Sequence, residues 1–189
     1  QDVQRQIFVN AGPIAHFANG DTSTPLVGAE MHSDLQLYPA GMGFVVESGM
    51  FVHFASSEEI IQEYSNSAMI DLQGKAVIPG FVDAHTHLLW SGDRSGEMRM
   101  RQQGMSYKDI AATGGGIRYT VEKTRECQNF DQIAEQRIRQ SISMGTTAIE
   151  VKSGYGLETQ TELRMLESYS RMREKFPNIS IHITWMGAH

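Results

Sequence analysis

The sequence predicts an α/β fold in which a small layer of β-strands, residues 1–73, precedes the first strands of a (β/α)8 TIM barrel, residues 74–189. From residue 76 onward, strand-like and helix-like segments alternate with short connections, which indicates parallel strands joined by right-handed crossovers. Polar residues follow three successive predicted strands, at the carboxyl ends where a (β/α)8 barrel carries its chemistry. A doubly wound sheet is the alternative, and this placement of polar residues favours the barrel. A whole barrel has eight strands and needs roughly 200 residues or more, and only three strands with their helices are predicted here, so the sequence accounts for under half of one.

The first 73 residues show mainly β patterns. Short apolar runs predict a strand at 6–9 and a strand and turn at 69–75, and a hairpin over 44–54 turns at Glu-Ser-Gly. A short helix is expected from Ser57, which can cap it. Residues 18–40 are polar, contain two prolines and show no periodicity, so we expect a loop there.

The second segment alternates between the strand and helix patterns. An apolar run at 77–81 predicts a buried first strand, and a capping box of Thr159 and Glu162 is expected to begin the last helix. In chain order we predict a strand through 77–85, helical pieces over 97–125 broken at 113–116, a helix over 131–144 stopped by Gly145, a strand at 146–151, a helix from 159, and a strand at 179–186. The buried face predicted for the last helix is Leu163, Leu166, Tyr169, Met172 and Phe176.

Composition excludes several classes of function. The formal net charge is −6 and no block of Lys or Arg occurs, which argues against a nucleic-acid or anionic-membrane partner. No apolar run reaches the length of about 18 residues that would span a membrane. Cys127 is the only cysteine, so no intrachain disulfide can form, which fits a reducing, cytoplasmic compartment. Because the chain starts at Gln1 and stops at the end of a predicted strand, we expect a fragment of a longer protein.

A pair of histidines marks the end of the first predicted strand of this second segment. His85 and His87 lie two residues apart on an extended segment, so their side chains point to the same face. Neutral imidazoles converging on one ion suit zinc or iron. A His-x-His pair alone is a weak signal, and its position after a buried strand strengthens the metal interpretation. Asp83 lies on the same strand and either accepts a hydrogen bond from a ligand or simply ends the strand.

Other polar residues at the predicted strand ends have two interpretations each. Arg94 can clamp a substrate carboxylate, although its spacing favours an ion pair with Asp93 or Glu97. Tyr155, between two glycines, can present its hydroxyl to a ligand or cover the barrel rim. His189 can donate to a substrate carbonyl or bind a metal. Candidates with less specific patterns are Glu150 and Lys152, as interior polar groups or partners of a neighbouring strand, and Gly114–Gly116, as a loop over the site.

The stretch from Pro79 to His87, PGFVDAHTH, resembles the metal-binding signature of the amidohydrolase superfamily. Three further stretches resemble the imidazolonepropionase family within it: GGGI with TV and TR at 114–125, EVKSGYGL with TEL at 150–163, and GAH at 187–189. The resemblance covers residues 74–189 well and residues 1–73 loosely. It implies a metal-dependent barrel preceded by part of an accessory β-sandwich domain.

The resemblance also implies an activity. The small-molecule substrate would be 4-imidazolone-5-propanoate, and hydrolysis of its cyclic amide C–N bond by water activated at one divalent metal, zinc or iron, would give N-formimidoyl-L-glutamate. His85 and His87 match two of four metal ligands, with a histidine and an aspartate expected beyond residue 189. Arg94, Tyr155 and His189 match substrate-binding positions, and His189 would also stabilise the developing oxyanion in catalysis. A homodimer is the oligomeric state that the family suggests.

Three alternatives stay open after this resemblance: another cyclic-amide hydrolase, a deaminase of amino-heterocycles, and a non-catalytic relative. The first two use the same histidine pair, so only their substrates distinguish them. A non-catalytic relative is disfavoured by the presence of Arg94, Tyr155 and His189 together with the pair. We expect residues 1–189 alone to be inactive and to bind metal weakly.

Overall fold

The computed structural model describes residues 5–17 and 25–187. The chain forms two compact units, Gln1–Pro79 and Gly80–His189. Residues 74–79, which the sequence pattern assigns to the second domain, belong to the first unit. Val77 explains this, because it bridges to Ile14 and exchanges backbone hydrogen bonds with Pro13 and Ala15. Within the described ranges, no helix has the length and apolarity required to cross a membrane.

The first unit is built mainly from strands. Its elements are β1 (Arg5–Val9), β2 (Ile14–Phe17), α1 (Ala29–Asp34), β3 (Leu35–Tyr38), β4 (Met42–Glu47), β5 (Met50–Ser56), α2 (Ser57–Glu63) and β6 (Ala68–Asp71). Four strands form one sheet in the order β5-β4-β1-β6, in which only the β1–β6 pair is parallel, and β2 pairs with β3. Alternating side chains of β1 pack on its two faces: Ile7 and Val9 lie with Ile60 of α2, and Phe8 stacks on Phe44.

The predicted hairpin is confirmed, and its turn explains why. Ser48 and Gly49 both have positive φ, 50° and 81°, as a two-residue hairpin turn of the primed type requires. The predicted loop over 18–40 is wrong for residues 29–38, which form α1 and β3. Because β3 exists through its pairing with the distant β2, its own four residues carry no pattern that reveals it.

The cap of α2 is also shifted from its predicted position. Ser56, not Ser57, is the N-cap: its hydroxyl accepts from the Glu59 amide at 3.2 Å, and the Glu59 carboxylate accepts from the Ser56 amide at 3.0 Å. The Ser57 hydroxyl instead donates to the Gly41 carbonyl at 2.9 Å. Adjacent serines satisfy the same sequence pattern, so only the backbone path decides which one caps.

The second unit alternates strands and helices as predicted. Its elements are β7 (Phe81–Thr86), α3 (Ser95–Gln102), α4 (Tyr107–Ala112), α5 (Ile117–Glu126), α6 (Phe130–Ser143), β8 (Thr146–Lys152), α7 (Thr159–Lys175) and β9 (Ser180–Thr184). The three strands are parallel in the order β7-β8-β9, so their carboxyl ends lie at one edge of the sheet. Helices α6 and α7 pack on β8 and β9, and the core includes Leu89, Ile138, Ile149, Val151, Met165 and Tyr169.

The prediction of a buried strand over 77–81 is wrong. The strand begins at Phe81, and the side chains of Phe81 and Val82 are largely exposed, at 55% and 71%. Among the described residues, β7 pairs only with β8, so one edge of the strand is open. An apolar run indicates a strand that is buried once all its neighbours are in place, but it does not show which residues cover the strand.

Candidate functional site

The two histidines at the carboxyl end of β7, His85 within the strand and His87 directly after it, lie side by side. The ring centroids of His85 and His87 are 5.7 Å apart, with an angle of 72° between the ring planes. Two imidazoles that bind one zinc ion through nitrogens about 2 Å from it place their ring centres roughly 5–6 Å apart. The pair therefore fits two ligands of a single ion. Among residues 5–17 and 25–187, no group of three or more His, Cys, Asp or Glu side chains could hold a metal.

The ring of His87 is oriented by the next strand. Its Nδ1 lies 2.9 Å from the carbonyl oxygen of Ser153, which can only accept, so Nδ1 carries a hydrogen, and in a neutral imidazole the lone pair is then on Nε2. A backbone carbonyl on the second ring nitrogen is the usual outer partner of a metal-binding histidine. Ser153 is fully buried, and it is fixed to β9 because its amide donates to Thr184 and its hydroxyl accepts from the Met186 amide.

A mostly buried ion pair lies near His85. Lys152 Nζ donates to Glu150 Oε1 at 2.7 Å, and the Thr184 hydroxyl of β9 donates to the same oxygen at 2.6 Å. The hydrogen bonds from Lys152 and Thr184 lower the pKa of Glu150. Both interpretations of these residues thus hold, since they pair with each other and with the neighbouring strand. Asp83 makes a long contact, 3.5 Å from its Oδ1 to the His85 amide.

Tyr155 lies against the histidine pair. Its ring centroid is 5.2 Å from that of His87, edge to face at 63°. The loop that carries it, 153–157, follows β8 and bends at Gly154, whose φ of 110° suits only glycine. Tyr155 also lines a cavity of about 300 Å³ together with Arg94. The remaining lining residues are Trp90, Gly92, Asp93, Ser95 and Thr120.

Glu162 holds the Tyr155 loop, and the predicted capping box with Thr159 is wrong. The buried Glu162 carboxylate accepts from the amides of Gly154 and Gly156, both at 2.7 Å, and of Leu157 at 3.0 Å. The N-cap of α7 is Glu158, without a side-chain cap. The carboxylate thus satisfies three loop amides ahead of the helix, a task that the Thr-x-x-Glu spacing does not reveal.

Arg125 of α5 binds the same loop through its carbonyls. Its Nε donates to the Gly156 carbonyl at 2.7 Å and its Nη2 to the Leu157 carbonyl at 3.0 Å. Amides and carbonyls of a five-residue loop are therefore satisfied by two charged side chains from different helices. Sequence reasoning gave Arg125 no role and gave Glu162 only the capping role that the structure does not show; both residues lie in the family-like stretches.

The segment after His87 is held in a similar way. The hydroxyl of Tyr169 on α7 accepts from the Leu89 amide at 2.9 Å and donates to the Lys152 carbonyl at 3.1 Å. Arg137 of α6 donates to the Leu88 carbonyl at 2.6 Å, and its guanidinium lies 4.2 Å from the Trp90 ring centre. Burial raises the pKa of Tyr169, so the hydroxyl keeps its proton and its donor role.

Arg94 forms the predicted ion pair with Glu97. Its Nε donates to Glu97 Oε1 at 2.9 Å and its Nη2 to Oε2 at 2.7 Å. Glu97 Oε1 also accepts from the Gly116 amide at 2.6 Å, which ties Arg94 to the glycine-rich segment before α5. The structure thus brings together His85, His87, Tyr155 and Arg94 in the second unit. His189, the fifth predicted site residue, lies outside the described residues.

Comparisons with known proteins identify the family. Residues 68–178 match the amidohydrolase family. A probable imidazolonepropionase of Dictyostelium discoideum is 37% identical over 87% of the chain, and an imidazolonepropionase of Herpetosiphon aurantiacus is 43% identical over 76%. The chain spans 39% and 34% of the lengths of these two relatives.

A solved structure agrees at the level of the fold. The guanine deaminase of E. coli superposes with a TM-score of 0.54 at 16% identity, over 89% of this chain and 34% of that one. At this identity the likeness concerns the α/β fold alone. The family match extends over more than half of the sequence, so the chain belongs to the amidohydrolase family.

Proposed function

We propose that the protein containing these residues hydrolyses the cyclic amide C–N bond of 4-imidazolone-5-propanoate to give N-formimidoyl-L-glutamate. The observation that carries the proposal is the grouping of His85, His87 and Tyr155 at the carboxyl ends of neighbouring parallel strands, with Arg94 on the same cavity as Tyr155. The relatives named imidazolonepropionase support the choice of substrate. Because the chain spans under half of their length, the activity belongs to the complete protein.

We propose one divalent metal, zinc or iron, on His85 and His87. Members of this superfamily are generally metal-dependent, and the ring spacing and the Ser153 carbonyl on His87 fit ligands of one ion. When bound, such an ion supplies Lewis acidity and lowers the pKa of a water ligand to about 7. Two imidazoles do not complete a tetrahedral site, so further ligands come from residues outside this chain.

The residues of this chain bind and orient the substrate. A guanidinium has two edges that can each hold a carboxylate, and Arg94 uses Nε and Nη2 for Glu97. The Nη1 edge is then the one that meets the propanoate carboxylate. Tyr155 contacts the heterocycle beside His87. His189 donates a hydrogen bond to the oxygen on which negative charge develops as the amide carbonyl is attacked.

We infer that β7, β8 and β9 are the first strands of a (β/α)8 barrel and that the first unit is part of an accessory β-sandwich. Support comes from the parallel order of the three strands and from the site residues at their carboxyl ends. The open edge of β7 is where another barrel strand would pair.

A direct assay of the complete protein tests the activity. Zinc-loaded or iron-loaded enzyme should consume 4-imidazolone-5-propanoate and form N-formimidoyl-L-glutamate without releasing ammonia. The loss of imidazolone absorbance measures the consumption of the substrate. Ammonia release from an amino-heterocycle, with no turnover of the imidazolone, would replace the proposal with a deaminase. Absence of both reactions in metal-loaded protein would favour a non-catalytic relative.

A further inference from the structure

The Arg94–Glu97 pair differs from an ordinary surface ion pair in its burial. The Glu97 side chain is 11% exposed and that of Arg94 is 34% exposed. The carboxylate is thus the buried partner, while the cation reaches the surface of the cavity. A buried carboxylate must be fully hydrogen-bonded to be stable, and Glu97 is, because it accepts from both Arg94 nitrogens and from the Gly116 amide.

The hydrogen bonds on Glu97 connect three parts of the second unit. Glu97 lies in the first turn of α3, Arg94 is the residue before that helix begins, and Gly116 is the N-cap of α5. Gly116 has no side chain that could cap α5, so the carboxylate of Glu97 supplies an acceptor at that end of the helix. Hydrogen bonding by Arg94 and then by Gly116 lowers the pKa of Glu97 to about 2, which keeps it ionised at neutral pH.

The geometry of the fork also determines what Arg94 can still bind. With Nε and Nη2 directed at Glu97, a second planar ligand can approach only the edge formed by Nη1 and Nη2. Within the described ranges, no hydrogen-bond acceptor contacts Nη1. The same arginine lines the cavity of about 300 Å³ that contains Tyr155. Glu97 therefore fixes the plane and the rotation of a cation whose remaining edge is available for a ligand.

We propose that Glu97 is a positioning residue that orients Arg94 for a substrate carboxylate and connects this binding group to the start of α5. This inference rests on the proposed function, since it assumes a carboxylate-bearing substrate. Without Glu97, the arginine side chain would sample several rotamers, and each substrate molecule would have to select the productive one. The cost should appear in substrate binding more than in the chemical step.

The chain offers a matched control in a second fork. Arg171 Nε and Nη2 donate to the two carboxylate oxygens of Asp131, both at 2.8 Å, on the outer helices α6 and α7. Both side chains of this pair are about half exposed, that of Arg171 at 52% and that of Asp131 at 49%. This pair has the same fork geometry but lines none of the cavity described for Arg94. Asp131→Asn therefore measures what the loss of a fork does without a role in the site.

The experiment compares Glu97→Gln and Asp131→Asn in the complete, zinc-loaded protein. Glutamine keeps the shape and one acceptor but turns an amide NH2 towards Arg94. We expect KM for 4-imidazolone-5-propanoate to rise about tenfold in Glu97→Gln with kcat changed less than about threefold. For the carboxamide analogue of the substrate, wild type and variant should have the same KM. Asp131→Asn should leave both constants at wild-type values.

Three results would overturn the proposal. They are an equal rise in KM for the carboxamide analogue, a rise no larger than that of Asp131→Asn, or additive effects of Glu97→Gln and Arg94→Lys in the double variant. Additivity would mean that Glu97 does not act through Arg94. If Glu97→Gln unfolds, Glu97→Asp replaces it, and it should raise KM in the same selective way.

Binding of propanoate alone separates this proposal from the proposed function. The Nε–H resonance of Arg94 should be protected from solvent exchange in wild type and should shift on addition of propanoate. Both effects should weaken in Glu97→Gln. These changes support the positioning role even if 4-imidazolone-5-propanoate is not turned over, which would by itself reject only the proposed function. A resonance that ignores propanoate in wild type contradicts the positioning role.

Discussion

A single backbone contact orients the His87 ring and determines which ring nitrogen carries a hydrogen. The Ser153 carbonyl, 2.9 Å from Nδ1, selects the tautomer whose lone pair is on Nε2. An imidazole without such a partner exchanges between tautomers and rotates, which weakens metal binding by about 10- to 100-fold. The proposed metal site thus depends on β8 and its loop as well as on the histidines.

We predict that His87→Ala in the complete protein loses the metal. Removing one of the two proposed ligands should lower metal content after dialysis to a small fraction, with a fall in turnover of roughly 100-fold or more. Metal analysis and the imidazolone assay measure the two effects. His53→Ala, which removes a ring contacting the Tyr64 hydroxyl in the first unit, should keep wild-type metal content. Full metal occupancy in His87→Ala would reject the ligand assignment.

We also predict a pH-dependent contribution of Glu97 to stability. Its pKa is about 2 in the folded protein, mainly through Arg94, and about 4.3 in an unfolded chain. A depressed folded-state pKa stabilises the fold above the unfolded value, and the benefit disappears as pH falls through the folded value. The difference in unfolding free energy between wild type and Glu97→Gln should therefore be largest above about pH 4.3 and shrink towards pH 2.

Urea unfolding across this pH range measures that difference. Glu174→Gln, at an exposed position on α7, serves as the control and should give a curve parallel to that of wild type. A gap between wild type and Glu97→Gln that stays constant from neutral pH to pH 2 would contradict a stabilising ionised Glu97.

At the scale of elements, the loop 153–157 depends on a helix that follows it in sequence. We predict that Glu162→Ala destabilises the protein by about 3 kcal/mol or more, because it leaves three loop amides without their acceptor at roughly 1–3 kcal/mol each. Turnover should fall with it, since Tyr155 loses its support. Chemical denaturation and the substrate assay measure both effects. Glu167→Ala, at an exposed position on the same helix, should change neither stability nor turnover. If Glu162→Ala has as small an effect as Glu167→Ala, the proposal that Glu162 holds the loop 153–157 is rejected.

The order of the elements could be predicted from sequence because each strand and helix has its own periodicity and stop signals. The break at 113–116 and the end of α6 before Gly145, whose φ is 93°, follow from glycine chemistry alone. The helix faces were less predictable: Met165 of α7 is fully buried, whereas Leu163, assigned to the core, is 53% exposed. A small rotation of α7 about its axis decides which of these residues is buried, and only packing against α6 and β9 determines that rotation.

The candidate site was predictable in part for a similar reason. His85, His87 and Tyr155 have sequence signals because their own neighbours, extended segments and glycines, indicate strand ends. The roles of Glu162 and Arg125 in the loop have no local sequence signal, because their partners are backbone groups 5 to 32 positions away that become neighbours only after folding. Thr159 and Glu162 match a capping pattern, but the Glu162 carboxylate instead accepts hydrogen bonds from three loop amides.

At the scale of the whole molecule, the described part of the second unit leaves strand edges unpaired. Within that part, β7 and β9 each pair on one side only, with β8 between them. Exposed edges of this kind invite pairing with other chains. The large exposed side chains of Phe81 and Val82 on β7 add apolar surface to this edge. Residues 1–189 on their own should therefore associate at high concentration.

Residues 1–189 alone supply only part of the proposed metal site. Two imidazoles leave most of the coordination sphere of a zinc ion to water, so residues 1–189 alone should bind zinc far more weakly than the complete protein and should turn over no substrate. Competition with a zinc-binding dye measures the two affinities. The double variant His85→Ala/His87→Ala of the same 189 residues should lose even the weak binding, which would assign it to the pair. Turnover by residues 1–189 alone would contradict the proposal that ligands outside this chain complete the site.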